Sequence, residues 1–504
     1  MLFFRAKKDS IINIIVQLSI FIFTFIFFTK IFPLIPYDGD DWYFLGAMRN
    51  PYPMWGVFNP SKVLPETLEP LVGYFGAFVI YPFSHNYIAS LSIASVLFIS
   101  IIITILMILT YNFIRKHYKL NKLIALSLEL FFYLSFFLIL KKGNEASYFG
   151  FWCQDLNCYF NYLIPGCLNA CLLLYLDTTD SESYQFTTSH PNYFIIGILI
   201  VTIYFAMFSS IQMNIILASY SIATLLFNHL KKGNITLQIK QLINEWPFIL
   251  IILFWLTSLI FDVNGGRAAN VSQNIGLINA IKAVLIQYKI LIQYTNKFFL
   301  IICLLFICFA LVSSCQSIHS DKAKSFFKIL LASILTIVFF TLLYTKAPVT
   351  YAARPDAMWA VIFLGLLLTI QGLTSLLKKY QICIIFMPLS LIIMSLISFN
   401  LNYGYVFKDN SDAYTSYKVD NHIVNTIVKA EHNGKSVVKV KVPKSINNDN
   451  WPHPLNQAQW MQNTLYAHGL IRHRIKIIFV PDKHLNKQMY PQGESEPFND
   501  LEAY

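Results

Sequence analysis

Long apolar runs recur through this chain, and they restrict its fold more than anything else in it. The first is Ile11 to Leu34, and others cover 88–113, 123–140, 159–176, 193–208, 212–229, 247–261, 298–314, 329–345, 358–376 and 381–399. Most approach the roughly 20 residues a helix needs to cross about 30 Å of hydrocarbon. Where no water reaches, the backbone must satisfy its own hydrogen bonds, which leaves helices or closed barrels. These runs are too long and too uniformly apolar for barrel strands. Composition agrees, since only 13% of residues are charged and 56% are hydrophobic. The sequence predicts an all-α polytopic membrane protein with about 11 transmembrane helices over residues 1–400.

The net charge of +12 does not point to nucleic acid, because the basic residues sit in short clusters between apolar runs. Arg115, Lys116, Lys119 and Lys122 follow the second run, Lys231 and Lys232 the sixth, Lys322, Lys324 and Lys328 the eighth, and Lys378 and Lys379 the tenth. Basic residues at alternate ends of spans mark the cytoplasmic side, so the charge reads as topology, with the N-terminus inside and the C-terminus outside. The loop 177–192 carries no Lys or Arg and contributes nothing to the rule. Arg5, Lys7 and Lys8 precede a run too long for a signal-peptide core, which suits an uncleaved signal-anchor. Leu64 to Phe83 and the stretch from Arg267 to Lys297 are amphipathic or interrupted, and read as interfacial helices at the outer leaflet.

After Asn400 the composition becomes soluble. Ser436 to Val442 alternates Val with polar residues, as a half-buried strand does, and Ile475 to Val480 is a second strand candidate. Asp420 to Glu431 and Gln457 to His468 read as helices. A small extracytoplasmic α/β domain over 401–504 is the expectation. Cys153 and Cys158 share one outer loop and could pair in an oxidising compartment.

The densest polar feature is Asp38-Gly39-Asp40-Asp41-Trp42, directly after the first span. Carboxylates crowded at the mouth of an apolar segment repel one another and lose hydration, which calls for a function. Asp38, in an Asp-Gly step, suits a turn and helix cap; Asp40 or Asp41 is the candidate general base. Glu145, Asp155, Gln212, Arg267 and Arg354 fall at outer ends of spans, where they could join the acids in one substrate cavity. Arginine forks are suited to holding a phosphate leaving group. Each has a structural alternative: Trp42 and Tyr43 as interface anchors, Glu145 and Asp155 as solvated loop residues, Gln212 as a cap, Arg354 as a snorkelling cation. His453, His468 and His473 lack metal-ligand spacing. The acid cluster could coordinate a divalent ion, but a donor anchored by one lipid phosphate does not require it, so no cofactor is expected.

Asp40-Asp41-Trp42 after the first span, the many spans and the later outer arginines resemble the GT-C class of polyprenyl-phosphate-sugar glycosyltransferases. Within that class the chain is most similar to the phage-type, serotype-converting O-antigen glucosyltransferases. Asn264-Gly265-Gly266-Arg267 resembles a Gly-Asn…Arg motif of related membrane transferases with its order altered. The resemblance implies a bacterial inner-membrane enzyme with an undecaprenyl-phosphate sugar donor and an O-antigen or lipopolysaccharide acceptor in the periplasm. An O-antigen polymerase is one alternative. A transporter of lipid-linked sugars is another, and it would want ionisable residues within the spans, whose interiors read as nearly free of them.

Overall fold

A computed structural model describes residues 2–49, 59–141, 148–179, 192–229, 243–264, 276–318, 320–379, 413–445, 450 and 453–489. Among these, 8 helices are long and apolar enough to cross a membrane. They are α1 (Leu2–Ile26, continued by a π turn Phe27–Ile31), α5 (Tyr87–Tyr118), α8 (Ile164–Thr178, entered through α7, Leu156–Cys158, and a π turn Tyr159–Leu163), α10 (Ile211–His229), α11 (Trp246–Asn264), α13 (Lys297–Gln316), α14 (Asp321–Tyr344) and α15 (Trp359–Lys379). Two further apolar runs form shorter helices, α6 (Lys122–Leu138) and α9 (Tyr193–Met207). The run 381–399 lies outside the described residues.

Local chemistry sets where several of these helices begin. Asn86, Asn121, Asn192, Asn296 and Ser320 are N-caps whose side chains accept from an amide two or three residues on. Each cap satisfies a donor that the first helical turn would otherwise leave orphaned. The central pillar is α5, 32 residues long and therefore about 48 Å from end to end. Helices α1, α6 and α8 pack around it, while α10 lies against α8, α11 and α14, and α13 pairs with α15. Phe27, Phe32, Phe137 and Phe149 interlock at one end of the bundle with ring centroids 5.1 to 6.3 Å apart.

The segment expected to be an interfacial helix is helical, as α2 (Gly39–Gly46) gives way, beyond residues 47–64, to α3 (Pro65–Phe75), a π turn Gly76–Ile80 and α4 (Tyr81–Ser84). It buries Val72 and Ala77 against α5 and leaves Leu71, Phe78 and Phe83 exposed. The second amphipathic stretch forms α12 (Leu277–Gln293), with Ala280 and Val284 buried and Ile278, Leu285 and Ile286 outward.

Two expectations change. Asp177 belongs to α8 and its side chain is fully buried, not part of a solvated loop. The interior is also less apolar than the sequence suggested: Glu129 of α6 is fully buried and accepts from Gln17 of α1 at 2.7 Å.

The tail follows the pattern α16 (Ala413–His432), β1 (Val437–Pro443), α17 (Gln457–Ala467), β2 (Lys476–Asp482), α18 (Lys483–Met489). The strands pair in parallel, from Val437 opposite Lys476 to Pro443 opposite Asp482. Along β1 the buried Val438, Val440 and Val442 alternate with exposed residues, which is the period-two signal of a strand with one buried face.

Candidate active site

Helix α2 is only 8 residues long, too short to persist without tertiary support. Its start is fixed by its own acids. Asp38 is the N-cap, and its carboxylate accepts from the Asp41 amide at 3.1 Å. Asp41 accepts from the Tyr37 amide at 2.8 Å and, across the fold, from the Asn157 amide at 2.7 Å. Both Asp41 oxygens are thus engaged in joining the segment that leads into α2 to α7.

The tail closes over α2. Thr464 of α17 donates its hydroxyl to the Trp42 carbonyl at 2.6 Å. His468 bonds the Leu45 carbonyl through Nε2 at 3.0 Å and the Tyr87 hydroxyl through Nδ1 at 2.6 Å. A carbonyl only accepts, so Nε2 carries the proton and Nδ1 accepts from Tyr87. Burial holds His468 down to about 4, so the ring is neutral. His453 packs edge-on against Tyr37 with centroids 4.9 Å apart, and burial lowers it likewise to about 4. The contact is close enough to require glycine: a Cβ at Gly46 would lie 2.6 Å from the Thr464 Cα, and one at Gly73 would meet the Leu45 carbonyl and the His468 ring.

Around α2 the acids accumulate. Asp40 is exposed, while Asp38 and Asp41 are buried. Glu69 of α3 is fully buried, and neither carboxylate oxygen has a hydrogen-bond partner among the described residues. Burial, then the charges of Asp155, Asp38 and Asp40, raise Glu69 well above the usual carboxylate range, with Lys62 opposing. Burial first, then Asp41, Asp155 and Asp40, raise Asp38; burial, Asp155 and Glu69 raise Asp41. Asp155, the N-cap of α7, is pushed up to about 6 chiefly by burial, with Cys158 and Arg354 holding it down. Asp420 of α16 is buried beside the Trp42 indole, and burial raises it as well. Such mutual elevation is what crowded, desolvated carboxylates do.

Arg354, in the turn before α15, brings a guanidinium to the acids. Its Nε and Nη2 bind Asp356 at 3.1 and 2.6 Å, and Nη2 also lies 3.3 Å from the Cys158 thiol. Its guanidinium stacks near the Tyr351 and Tyr162 rings, at 4.8 and 5.4 Å. The Cys158 thiol in turn donates to Asp155 at 3.2 Å. Segment 154–158 therefore touches Asp41 on one side and the Arg354–Asp356 pair on the other, bringing the turns at 37–41 and 354–356 to one place. Cys153 and Cys158 are both free thiols, so the pair considered from sequence is not bridged.

The sequence candidates thus have distinct placements. Asp38 caps, Asp41 orders the backbone, and Asp40 is the exposed carboxylate. Trp42 is not an interface anchor, since it is fully buried beneath the tail. Asp155 is a buried member of the cluster, not a solvated loop residue. Gln212 accepts from the Ser210 hydroxyl at 2.7 Å; its turn is tied to the start of α3 by Lys62 and Leu64 amides donating to Ser209 and Phe208 carbonyls. Arg354 is half-buried and paired, which replaces the snorkelling alternative. Glu145 and Arg267 lie outside the described residues. Sequence reasoning did not single out Glu69, Asp356 or Asp420. A carboxylate inside the amphipathic run 64–83 was the available signal for Glu69, and the two-residue spacing of Arg354 and Asp356 for their pair; Asp420 offered none. Among the described residues, no three of His, Cys, Asp and Glu converge to hold a metal ion. The chain matches no family model, no curated protein and no solved structure.

Proposed function

We propose that the protein is a membrane glycosyltransferase that moves a sugar, glucose in our reading, from undecaprenyl phosphate to an O-antigen or lipopolysaccharide sugar. The reaction would take place on the periplasmic side of a bacterial inner membrane, with the N-terminus in the cytoplasm. The observation that carries this reading is the exposed Asp40 carboxylate set among buried acids, with Arg354 tied to the same acids through segment 154–158.

In this mechanism the acceptor hydroxyl gives its proton to Asp40 as its oxygen attacks the anomeric carbon, with inversion. The bond from that carbon to the phosphate oxygen breaks, and the lipid phosphate leaves with the electron pair. Arg354 keeps its Nε and Nη2 on Asp356 and has Nη1 for a phosphate oxygen. Asp41 and Asp38 hold the helix that carries Asp40, and the raised Asp155 and Glu69 keep further protons near the site.

The competing reading is transport of a lipid-linked sugar, and the buried Glu129–Gln17 contact favours it. Structural analysis of the host polysaccharide separates the two. With Asp40→Asn, normal membrane levels of protein and loss of a side-branch sugar are expected. Wild-type modification in that variant, or its loss only in Glu129→Gln, would sink the transferase reading.

A further inference from the structure

The molecule holds a second polar site at the end remote from the acids. Helix α5 carries Tyr87 beside the acid cluster and Tyr118 at its far end, so the two ends lie about 48 Å apart. Around Tyr118 the ends of α13, α14 and α15 leave a cavity of about 350 Å³, within the size range of small-ligand sites of roughly 300–1,000 Å³. Its polar lining comes from Ser313, Ser317, Gln316, Lys322 and Gln371, among others, and includes no acidic residue among those described.

Gln371 is the telling member. It is 1% exposed, and neither its amide nitrogen nor its amide oxygen has a hydrogen-bond partner among the described residues. A buried amide left unmatched is unfavourable, so this one is expected to meet something in the cavity. Lys322 supplies a positive charge, with its ammonium 5.6 Å from the centre of the Tyr118 ring. On the rim stands Val312, 57% exposed, next to the exposed Leu311 on the apolar outer face of α13. A pocket that combines one ammonium, neutral hydroxyl and amide groups, and an apolar lip suits a head that is polar and singly anionic on a tail that is apolar.

We propose that this cavity binds the phosphodiester headgroup of an anionic phospholipid, with Lys322 and the hydroxyl and amide donors on the phosphate and the acyl chains along α13. Lys322 with the neutral hydroxyl and amide donors suits an anionic head, and the absence of an acidic lining residue among those described leaves a choline cation unmatched. The site is independent of the transfer reaction, so it stands or falls separately from the reading given above.

The test uses the full chain purified in detergent, with dihexanoyl-phosphatidylglycerol as probe and thermal unfolding as readout. The wild-type midpoint should rise with this lipid and much less with dihexanoyl-phosphatidylcholine. Lys322→Gln and Gln371→Leu should each weaken the apparent affinity at least about tenfold. Gln371→Leu replaces the amide by an apolar group of similar volume, so it carries the test alone if Lys322→Gln does not accumulate. Native mass spectrometry should show phosphatidylglycerol retained by the wild type and lost from the variants. An equal shift with inorganic phosphate would overturn the lipid assignment, and an undiminished lipid shift in both variants would overturn the site.

Discussion

At one end of α5, beside Tyr87, Asp38, Asp41, Glu69, Asp155 and Asp420 are buried close together, and the Arg354 guanidinium is engaged by Asp356. At the other end a single carboxylate, Asp177, receives His117 at 2.6 Å, Lys328 at 2.8 Å, the Ser325 hydroxyl at 3.3 Å and the Tyr220 hydroxyl. Those partners come from α5, α14 and α10, so Asp177 of α8 ties four helices together. The two ends bury the same functional group with opposite accounting. Around Asp177 charge is matched and every contact is local packing, which is what a structural clasp requires. Around α2 burial and neighbouring carboxylates raise Asp38, Asp41, Glu69 and Asp155, and Lys62 and Arg354 offset this only in part.

The largest contrast to test is between Asp40 and Asp177. Asp40→Asn should lower sugar transfer by about 10²–10⁴-fold, the usual worth of a general base, with thermal stability unchanged. Asp177→Ala strands a lysine and a histidine in the interior and should cost about 3–5 kcal/mol, with transfer per folded molecule preserved. Unfolding curves and a transfer assay on purified protein read both. A stable Asp177→Ala, or an Asp40→Asn that unfolds, would erase the distinction between the two ends.

A smaller effect concerns pH. His453 and His468 are lowered to about 4 by burial. A depressed histidine contributes stability above its unfolded value near 6.5 and loses it as pH falls toward 4, about 3 kcal/mol for each ring. The carboxylates act in the other direction. Asp155 is raised to about 6 and Glu69 and Asp38 are raised as well, so their contribution is present below about pH 4 and disappears as pH rises through 6 and beyond. Between about pH 4 and 6 the raised carboxylates, Asp155, Glu69 and Asp38 with Asp41 and Asp420, outnumber the two lowered histidines, so the melting midpoint of the wild type should fall as pH rises from about 5. A midpoint that climbs steadily from pH 5 to 8.5 would contradict the assignment.

The smallest change isolates one acid. Glu69→Gln imitates the protonated form that burial favours. Its melting temperature should match the wild type at pH 4 and exceed it by a few degrees at pH 8, a shift on the order of 1 kcal/mol. Equal melting temperatures at both pH values would show that Glu69 meets a compensating charge.

How much of this was legible in the chain follows from the range of each interaction. Helices α1, α5, α8, α10, α11, α13, α14 and α15 fall on apolar runs read from the sequence, because spanning length and apolarity are properties of consecutive residues. The strand β1 was visible in the alternation from Ser436 to Val442 for the same reason. The acid cluster drew attention through its density, and the cap role of Asp38 follows from the Asp-Gly step. What no local pattern contains is which carboxylate stays exposed. Asp41 is occupied because the Asn157 amide, more than a hundred positions later, points at it. Trp42 is buried because α17 folds back over α2, and Glu69 joins the acids because α3 packs beneath them. Spans, strands and caps were set by neighbours along the chain; the environment of each charge was set by neighbours in space, since burial and Coulomb interaction depend on distance through the fold and not along the sequence.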